Sequence, residues 1–376
     1  MATEIAPDGL ALRMGRRQRA LAQMNAHDID ILVLGRQANV RYVTGAPQLW
    51  IAGTRPFGPV CVVVRATGEI YLNSTADEGI PEEIGRDRLY GLAWNPMTLI
   101  NVLTNINGAS TARRVGTDAL SPTFAKLLPM AFPNAELVDG EAAMRAARRI
   151  KTPEELAAMS TVLRVAEAGV AAAVAELRPG LSEQSLAGAL LEAMAAGGVS
   201  TPATQDAAWV TSREHPWRRA TGDGQVAAGD LVVFTAGALA DGYVGEVGRT
   251  WPVGDPDRAA GGPTHKLYQR SNELWDRLIA ACRPGAPASD LLTAYDLAGE
   301  PLPPMAVAHG LGLGFDPPVI SRLLPATAEG EHLDPGMVLA LNGYVWQEGV
   351  GAVLHRDTVV ITDSGPQVLT ASPSWQ

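Results

Sequence analysis

The chain is poor in aromatic residues (5%), has two cysteines in 376 residues, and carries fewer basic than acidic side chains, 30 Lys and Arg against 40 Asp and Glu. Each scarcity narrows the field. Cys61 and Cys282 have apolar neighbours and no CxxC spacing, which excludes a disulfide scaffold and reads as two buried free thiols in a reducing compartment. A formal net charge of -10 leaves no basic surplus to neutralise phosphates, so neither a nucleic acid nor an anionic membrane is the expected partner. No run approaches the roughly 20 uninterrupted apolar residues of a membrane span, and the first residues, MATEIAPDGLALRMGRRQR, lack an apolar signal-peptide core. The expectation is a cytoplasmic protein whose partner is a small-molecule substrate.

What is present is ordinary globular material: 47% hydrophobic residues and a length that corresponds to about two domains. Residues 10–26 place Leu10, Met14, Leu21 and Met24 on one face with arginines opposite, which predicts an amphipathic helix. A strand over 30–35 follows, then ANVRYVTG, then a wholly apolar strand over 60–64. Helix alternating with buried strand is an α/β pattern. The sharpest boundary is Arg149-Ile150-Lys151-Thr152-Pro153-Glu154-Glu155. A Thr cap, Pro at the first helical position and Glu three residues after the cap form a capping box, so a helix starts there. It runs to Pro179-Gly180, and further helices are expected over 181–195 and 263–282.

Between those helices lies the stretch around which the chain is organised, Gly229 to Gly254, GDLVVFTAGALADGYVGEVGRTWPVG. Leu231–Phe234 is a short apolar run, Ala240-Asp241-Gly242 is turn chemistry, and a second strand runs from Tyr243 to Val253. This stretch resembles the signature of the creatinase/prolidase/methionine aminopeptidase family, the pita-bread fold, in which GD-(apolar)-D-x-G precedes GY-x-x-D-x-T-R-T. The order of elements before ANVRYVTG and the segment IKTPEELAAM resemble that family's N-terminal domain and linker helix. The resemblance implies an α/β N-terminal domain over 1–150 followed by an α+β pita-bread domain over 151–376.

In the metallopeptidase members, two aspartates of the signature, a His, and two Glu hold a pair of divalent metals. Thr235 and Glu246 stand at the aspartate positions, His309 keeps the histidine in Ala308-His309-Gly310, and Asn342 and Arg356 stand where the glutamates belong. An arginine about 4 Å from a divalent ion costs roughly 8 kcal/mol at an effective dielectric of ~20. The expectation is therefore no metal and no other cofactor, with a single ion on Glu246 and His309 as the alternative.

Creatinase uses the same fold without metal to hydrolyse a C–N bond, which requires a base such as histidine. Two histidines qualify: His309, and His215 in Arg213-Glu214-His215-Pro216, near the family's active-site PH turn. Glu246 orients or protonates. The resemblance assigns substrate contacts to Arg356, Asn342, Thr235, Glu348 at the pocket rim, and Arg55, which lies in the segment corresponding to a creatinase loop that carries an arginine into the partner subunit's pocket and so implies a homodimer. Asp316 stands near the family's second histidine, while His27, His265 and His332 read as solvated. Three functions are consistent with the residues: a metal-independent, creatinase-like hydrolase of a C–N bond in a small carboxylate-bearing molecule; a catalytically silent binding protein; or a metal-dependent Xaa-Pro dipeptidase.

Overall fold

The computed structural model describes residues 9–46, 59–74, 78–91, 95–119, 121–199, 201–203, 207–254 and 261–375. It contains two compact units, one spanning Pro7–Arg148 and the other built on Arg149–Gln376. The first holds α1 (Leu10–Ala26), β1 (Ile31–Leu34), α2 (Gln37–Thr44), β2 (Cys61–Val64), β3 (Ile70–Asn73), β4 (Leu89–Tyr90), α3 (Pro96–Thr104), β5 (Arg114–Thr117), α4 (Pro122–Ala131), β6 (Glu136–Asp139) and α5 (Glu141–Arg149). Its sheet runs β4-β3-β2-β1-β5-β6, with β1 parallel to β5 and antiparallel to β2. Both apolar strands, β1 and β2, are wholly buried, as strands covered on two faces must be. ANVRYVTG is helical: it forms most of α2, which ends on Gly45 at φ 69°, a left-handed cap that glycine takes without a Cβ clash.

The helix α1 lies where its periodicity predicts, but with a different face inward. Leu12, Arg16, Ala20 and Met24 are buried, whereas Leu10 and Met14 are exposed. Arg16 explains the rotation. Its stem is apolar and its guanidinium lies 5.9 Å from the centre of the Tyr42 ring, so a residue counted as a solvent marker packs inside.

The second unit comprises α6 (Pro153–Glu176), α7 (Glu183–Ala196), β7 (Thr201–Pro202), β8 (Ala208–Val210), β9 (Leu231–Ala240), β10 (Tyr243–Pro252), α8 (Pro263–Ala281), α9 (Asp290–Ala298), β11 (Ala308–Gly312), β12 (Gly314–Ile320), α10 (Pro325–Gly330), β13 (Val338–Gln347), β14 (Gly351–Thr362) and β15 (Gly365–Val368). Its antiparallel sheet runs β12-β11-β13-β14-β10-β9-β7, with β8 beside β9 and β15 beside β14. The capping box forms as predicted: the Thr152 N–H donates to Glu155 (2.9 Å) and the Glu155 N–H to the Thr152 hydroxyl (3.2 Å). The same Glu155 accepts from the Tyr243 hydroxyl at 3.1 Å, which ties the helix start to β10. By length and composition alone α6 is apolar enough to cross a membrane, contrary to the sequence expectation. Here it buries Met159, Leu163, Ala166 and Val170 and packs on β9 and β10.

Helices cover one face of this sheet. Leu163 of α6 lies 3.0 Å from where a Cβ on Gly245 would project, and Trp275 of α8 stacks on His355 with ring centres 4.0 Å apart. Successive strand residues alternate faces. Glu246 and Arg356, the next residues along β10 and β14, therefore point to the opposite face.

Candidate active site

Register fixes which side chains share that opposite face. Asn342 pairs with Arg356, Arg356 with Gly248, Gly248 with Thr235, and Glu246 with Gly237, while His309 pairs with Ala340, two residues before Asn342. Directly paired residues, and residues two apart, lie on one face. Thr235, Glu246, His309, Asn342 and Arg356 thus converge from five strands. The β9–β10 hairpin that supplies two of them closes through Asp241 (φ 49°) and Gly242 (φ 84°), the two-residue turn whose twist matches the strands. At the crossing point Gly248 is required: a Cβ there would stand 3.0 Å from the Arg356 Cβ and 3.3 Å from the Thr235 methyl.

The side chains form one chain of charges. Arg356 Nη1 lies 3.1 Å from Glu246 Oε2, and His309 Nε2 lies 3.5 Å from Glu246 Oε1. Arg356 Nε donates to Asn342 Oδ1 at 2.5 Å, and the Asn342 amide donates to the Ala306 carbonyl at 3.0 Å. Glu246 is 1% exposed. Burial pushes its carboxyl up, but the neighbouring His309 imidazole and Arg356 guanidinium outweigh burial and hold it below its ordinary value. It is an ionised carboxylate shared between a fixed cation and an imidazole.

His355 points away, as strand alternation requires. Its Nε2 bonds Asp357 Oδ2 at 2.7 Å, and Asp357 accepts from Arg249 at 2.6 Å and from the Thr370 hydroxyl at 2.6 Å. Arg249 also donates to the carbonyls of Gly248 and Arg356, each at 2.8 Å. It is therefore committed to the strand backbone beneath the cluster, leaving Arg356 as the arginine that pairs with Glu246.

The other predicted residues lie elsewhere. His215 is exposed, its N–H donating to the Ser212 hydroxyl at 3.1 Å. Its loop is stitched to the far end of the β13–β14 hairpin: the Trp346 indole donates to the Ser212 carbonyl and Gly349 N–H to the Arg213 carbonyl. Trp346 is four residues from Asn342, a strand distance of about 13 Å. The structure does not bring His215 into the cluster. Glu348 is exposed at that hairpin's turn, equally remote. Asp316 is buried with its Oδ2 3.9 Å from the Lys151 ammonium, outside the five. Arg55 lies outside the described residues. His265 is half-buried with its ring 4.7 Å from Trp375, not solvated. Gly310 and Gly312 serve strand packing, since Cβ atoms on them would strike the Asp316 carbonyl and carboxylate at 2.6 and 2.8 Å. Both cysteines are buried, and burial pushes the Cys282 thiol up to about 12. A separate cleft of about 350 Å³, lined by Glu183, Ser212, Arg213, Glu214, Asp223 and Asp230, shares no residue with the cluster.

The donor set does not fit a divalent metal. It offers one carboxylate, one imidazole, an amide, a hydroxyl and a guanidinium already paired to the carboxylate, whereas hard cations take several anionic oxygens. Among the described residues no group of three or more His, Cys, Asp or Glu is placed to hold an ion.

A two-unit chain with an α/β first unit and a nine-stranded antiparallel second unit carrying a buried polar cluster on the face opposite α6 and α8 is a creatinase/prolidase-type architecture. Residues 157–363 match Metallopeptidase family M24 and residues 16–150 match the Creatinase/Prolidase N-terminal domain; the chain belongs to family M24 and has its pita-bread fold. It is 28% identical to the Xaa-Pro dipeptidase of Pyrococcus furiosus over 59% of this chain and 63% of that one. It is 23% identical to the Xaa-Pro dipeptidase of Pyrococcus horikoshii over 92% and 94%. Among solved structures, the prolidase from Pyrococcus horikoshii OT3 superposes with a TM-score of 0.75 at 20% identity, covering 96% of this chain and 99% of that one. The Xaa-Pro dipeptidase from Bacillus anthracis gives 0.76 at 19%, with the same coverage. At these identities the superpositions establish the fold.

What the sequence did not single out is the row next to the cluster. Val233, Tyr344 and Leu354 lie two residues along their strands from Thr235, Asn342 and Arg356 and pack with Trp209, Trp217 and Trp346. The two-residue spacing was the available signal.

Proposed function

We propose that this M24 hydrolase works without a metal and cleaves a C–N bond in a small carboxylate-bearing molecule. The observation that carries the reading is the Glu246 carboxylate held between His309 and Arg356. The carboxylate aligns the imidazole and stabilises it once protonated; the guanidinium keeps the carboxylate ionised. His309 accepts a proton from water as the oxygen attacks the carbon of the C–N bond, and returns that proton to the departing nitrogen. Water is consumed, and the products are the oxygen-bearing carbon fragment and an amine.

The second reading, a metal-dependent Xaa-Pro dipeptidase, is favoured by the names of the relatives. It requires a donor set that these five side chains do not offer. The test is turnover across amide, amidine, guanidine and Xaa-Pro libraries by metal-stripped protein. His309→Ala is expected to reduce kcat by roughly 10²–10⁴, with His215→Ala near wild type. Turnover of Xaa-Pro dipeptides that appears only with added divalent metal overturns the proposal, as does full activity in His309→Ala.

A further inference from the structure

The Glu246–Arg356 ion pair spans a seam that backbone pairing closes at one point. β10 pairs with β9 along its whole length, and β14 with β13 from Gly351 to Val360. Between β10 and β14, which carry Glu246 and Arg356, the ladder among the described residues is one pair, Gly248 with Arg356. Side chains supply the other rungs. The Thr250 hydroxyl donates to the Leu354 carbonyl at 3.2 Å and accepts from the Leu354 N–H at 2.8 Å, and the Thr358 hydroxyl donates to the Glu246 carbonyl at 2.9 Å. Arg249 is the third such clamp. Its Nη1 donates to the Gly248 and Arg356 carbonyls, each at 2.8 Å, its Nη2 to Asp357 (2.6 Å) and the Ser372 carbonyl (2.8 Å), and its Nε to that same carbonyl (3.1 Å). The five N–H groups of a guanidinium lie in one rigid plane, so the seam carbonyls are placed by whatever holds the rest of the fork.

What holds it is residues 369–375, a half-exposed strap that follows β15. The Leu369 N–H donates to the Thr358 carbonyl and the Thr370 hydroxyl to Asp357 at 2.6 Å. The Ala371 and Ser372 N–H groups both donate to Glu167 of α6, the latter at 2.6 Å. Trp375 lies with its ring 4.7 Å from that of Tyr268 on α8, whose hydroxyl donates to the Thr250 carbonyl at 2.7 Å. Thr250 belongs to β10, and Asp357 and Thr358 to β14. Strap and seam therefore share their anchors.

We infer that this strap sets the width of the seam, and that Arg249, Glu167 and Thr370 are positioning residues that hold Arg356 against Glu246 from the helix-covered face. Only the kinetic consequence rests on the proposed reaction. With Glu167 removed, the Ala371 and Ser372 N–H groups lose their acceptor and the Ser372 carbonyl its fixed place. The Arg249 fork then keeps Asp357 but no longer has a fixed point on its far side, and the Gly248 and Arg356 carbonyls loosen with it.

The test is hydrogen exchange of the full chain, read by mass spectrometry, in Glu167→Ala, Glu167→Gln and Thr370→Val. Glu167→Ala is expected to speed exchange by about tenfold or more, in residues 369–375 and also in 246–250 and 354–358, with β1 and β2 unchanged. Glu167→Gln keeps an acceptor oxygen and stays near wild type. Thr370→Val removes one hydroxyl, keeps the side-chain shape and loosens the same two strands. In kinetics, Glu167→Ala is expected to lower kcat by roughly 10–10²-fold at unchanged KM, since alignment is lost and binding is not. Faster exchange confined to residues 369–375 in both Glu167→Ala and Thr370→Val overturns the inference, as does wild-type kcat in a variant whose 246–250 and 354–358 segments exchange faster. If the wild-type protein turns over no C–N substrate, the proposed reaction fails and exchange alone decides the strap. If turnover is found while exchange stays confined to the strap, the reaction stands and the strap inference fails.

Discussion

Arg356→Met removes the cation from beside Glu246 while keeping an unbranched apolar stem. Glu246 is 1% exposed and the pair is 3.1 Å apart, so the lost attraction is about 5 kcal/mol at an effective dielectric of ~20. Asn342 Oδ1 loses its donor as well. Against this, the carboxyl relieves its charge by taking up a proton. The net destabilisation expected is about 3 kcal/mol, the lower end of what breaking one side of a buried pair costs. Glu246→Gln added to Arg356→Met removes the stranded charge, so the double variant is expected to be more stable than Arg356→Met alone by about 1.5 kcal/mol. Denaturant titration followed by tryptophan fluorescence reads the right unit, because six of the eight tryptophans follow Arg149. A single Arg356→Met variant within about 0.5 kcal/mol of wild type, or a double variant less stable than Arg356→Met, refutes the pairing as the organising feature of the site. A divalent ion on Glu246 with Arg356 turned to solvent predicts the first of those outcomes.

Three further measurements probe the same unit. Elemental analysis of the purified protein is expected to find no stoichiometric manganese, zinc, cobalt or iron, and chelator to leave the melting temperature unchanged; a metal lost together with stability contradicts the mismatch argued from Thr235, Asn342 and Arg356. Burial depresses the His355 pKa, with the Asp357 hydrogen bond opposing and Arg249 adding to the depression. The unfolded chain then binds that proton more readily than the folded one, so stability is complete above about pH 6.5 and declines as pH falls through the lowered folded value. His355→Gln is expected to flatten that decline between roughly pH 6.5 and 5, and identical pH slopes in the two proteins sink the assignment. Thr152→Ala is expected to cost about 1 kcal/mol by removing the α6 cap, with Thr152→Ser close to wild type; an unchanged midpoint for Thr152→Ala shows that Glu155 and Tyr243 hold the helix start without it.

Backbone frame and side-chain role were unequally legible, for a physical reason. Turns, caps and strand alternation are local: Asp241-Gly242, Thr152 through Glu155, and the two-residue periodicity around Glu246 and Arg356 each specify geometry from a few adjacent residues, and each is found where the sequence places it. Helix faces and loop histidines depend on partners far along the chain. The inward face of α1 turns on Arg16 meeting Tyr42, twenty-six residues on. The position of His215 turns on the Ser212 carbonyl accepting from Trp346, more than a hundred residues away. Motif spacing placed Arg356 at a ligand position but carried no information about what it would pair with. The structure supplies that partner, since Arg249 is spent on Asp357 and on the carbonyls beneath the cluster. Two arginines thus divide the labour at one crossing of strands: Arg249 holds the backbones of Gly248 and Arg356 from the helix-covered face, and Arg356 neutralises Glu246 on the other. On the proposed metal-free reading, the buried Glu246 carboxylate needs a cation from the protein itself, and the guanidinium of Arg356, 3.1 Å away, supplies it, while the neutral amide of Asn342 and the hydroxyl of Thr235 add no further negative charge for it to balance.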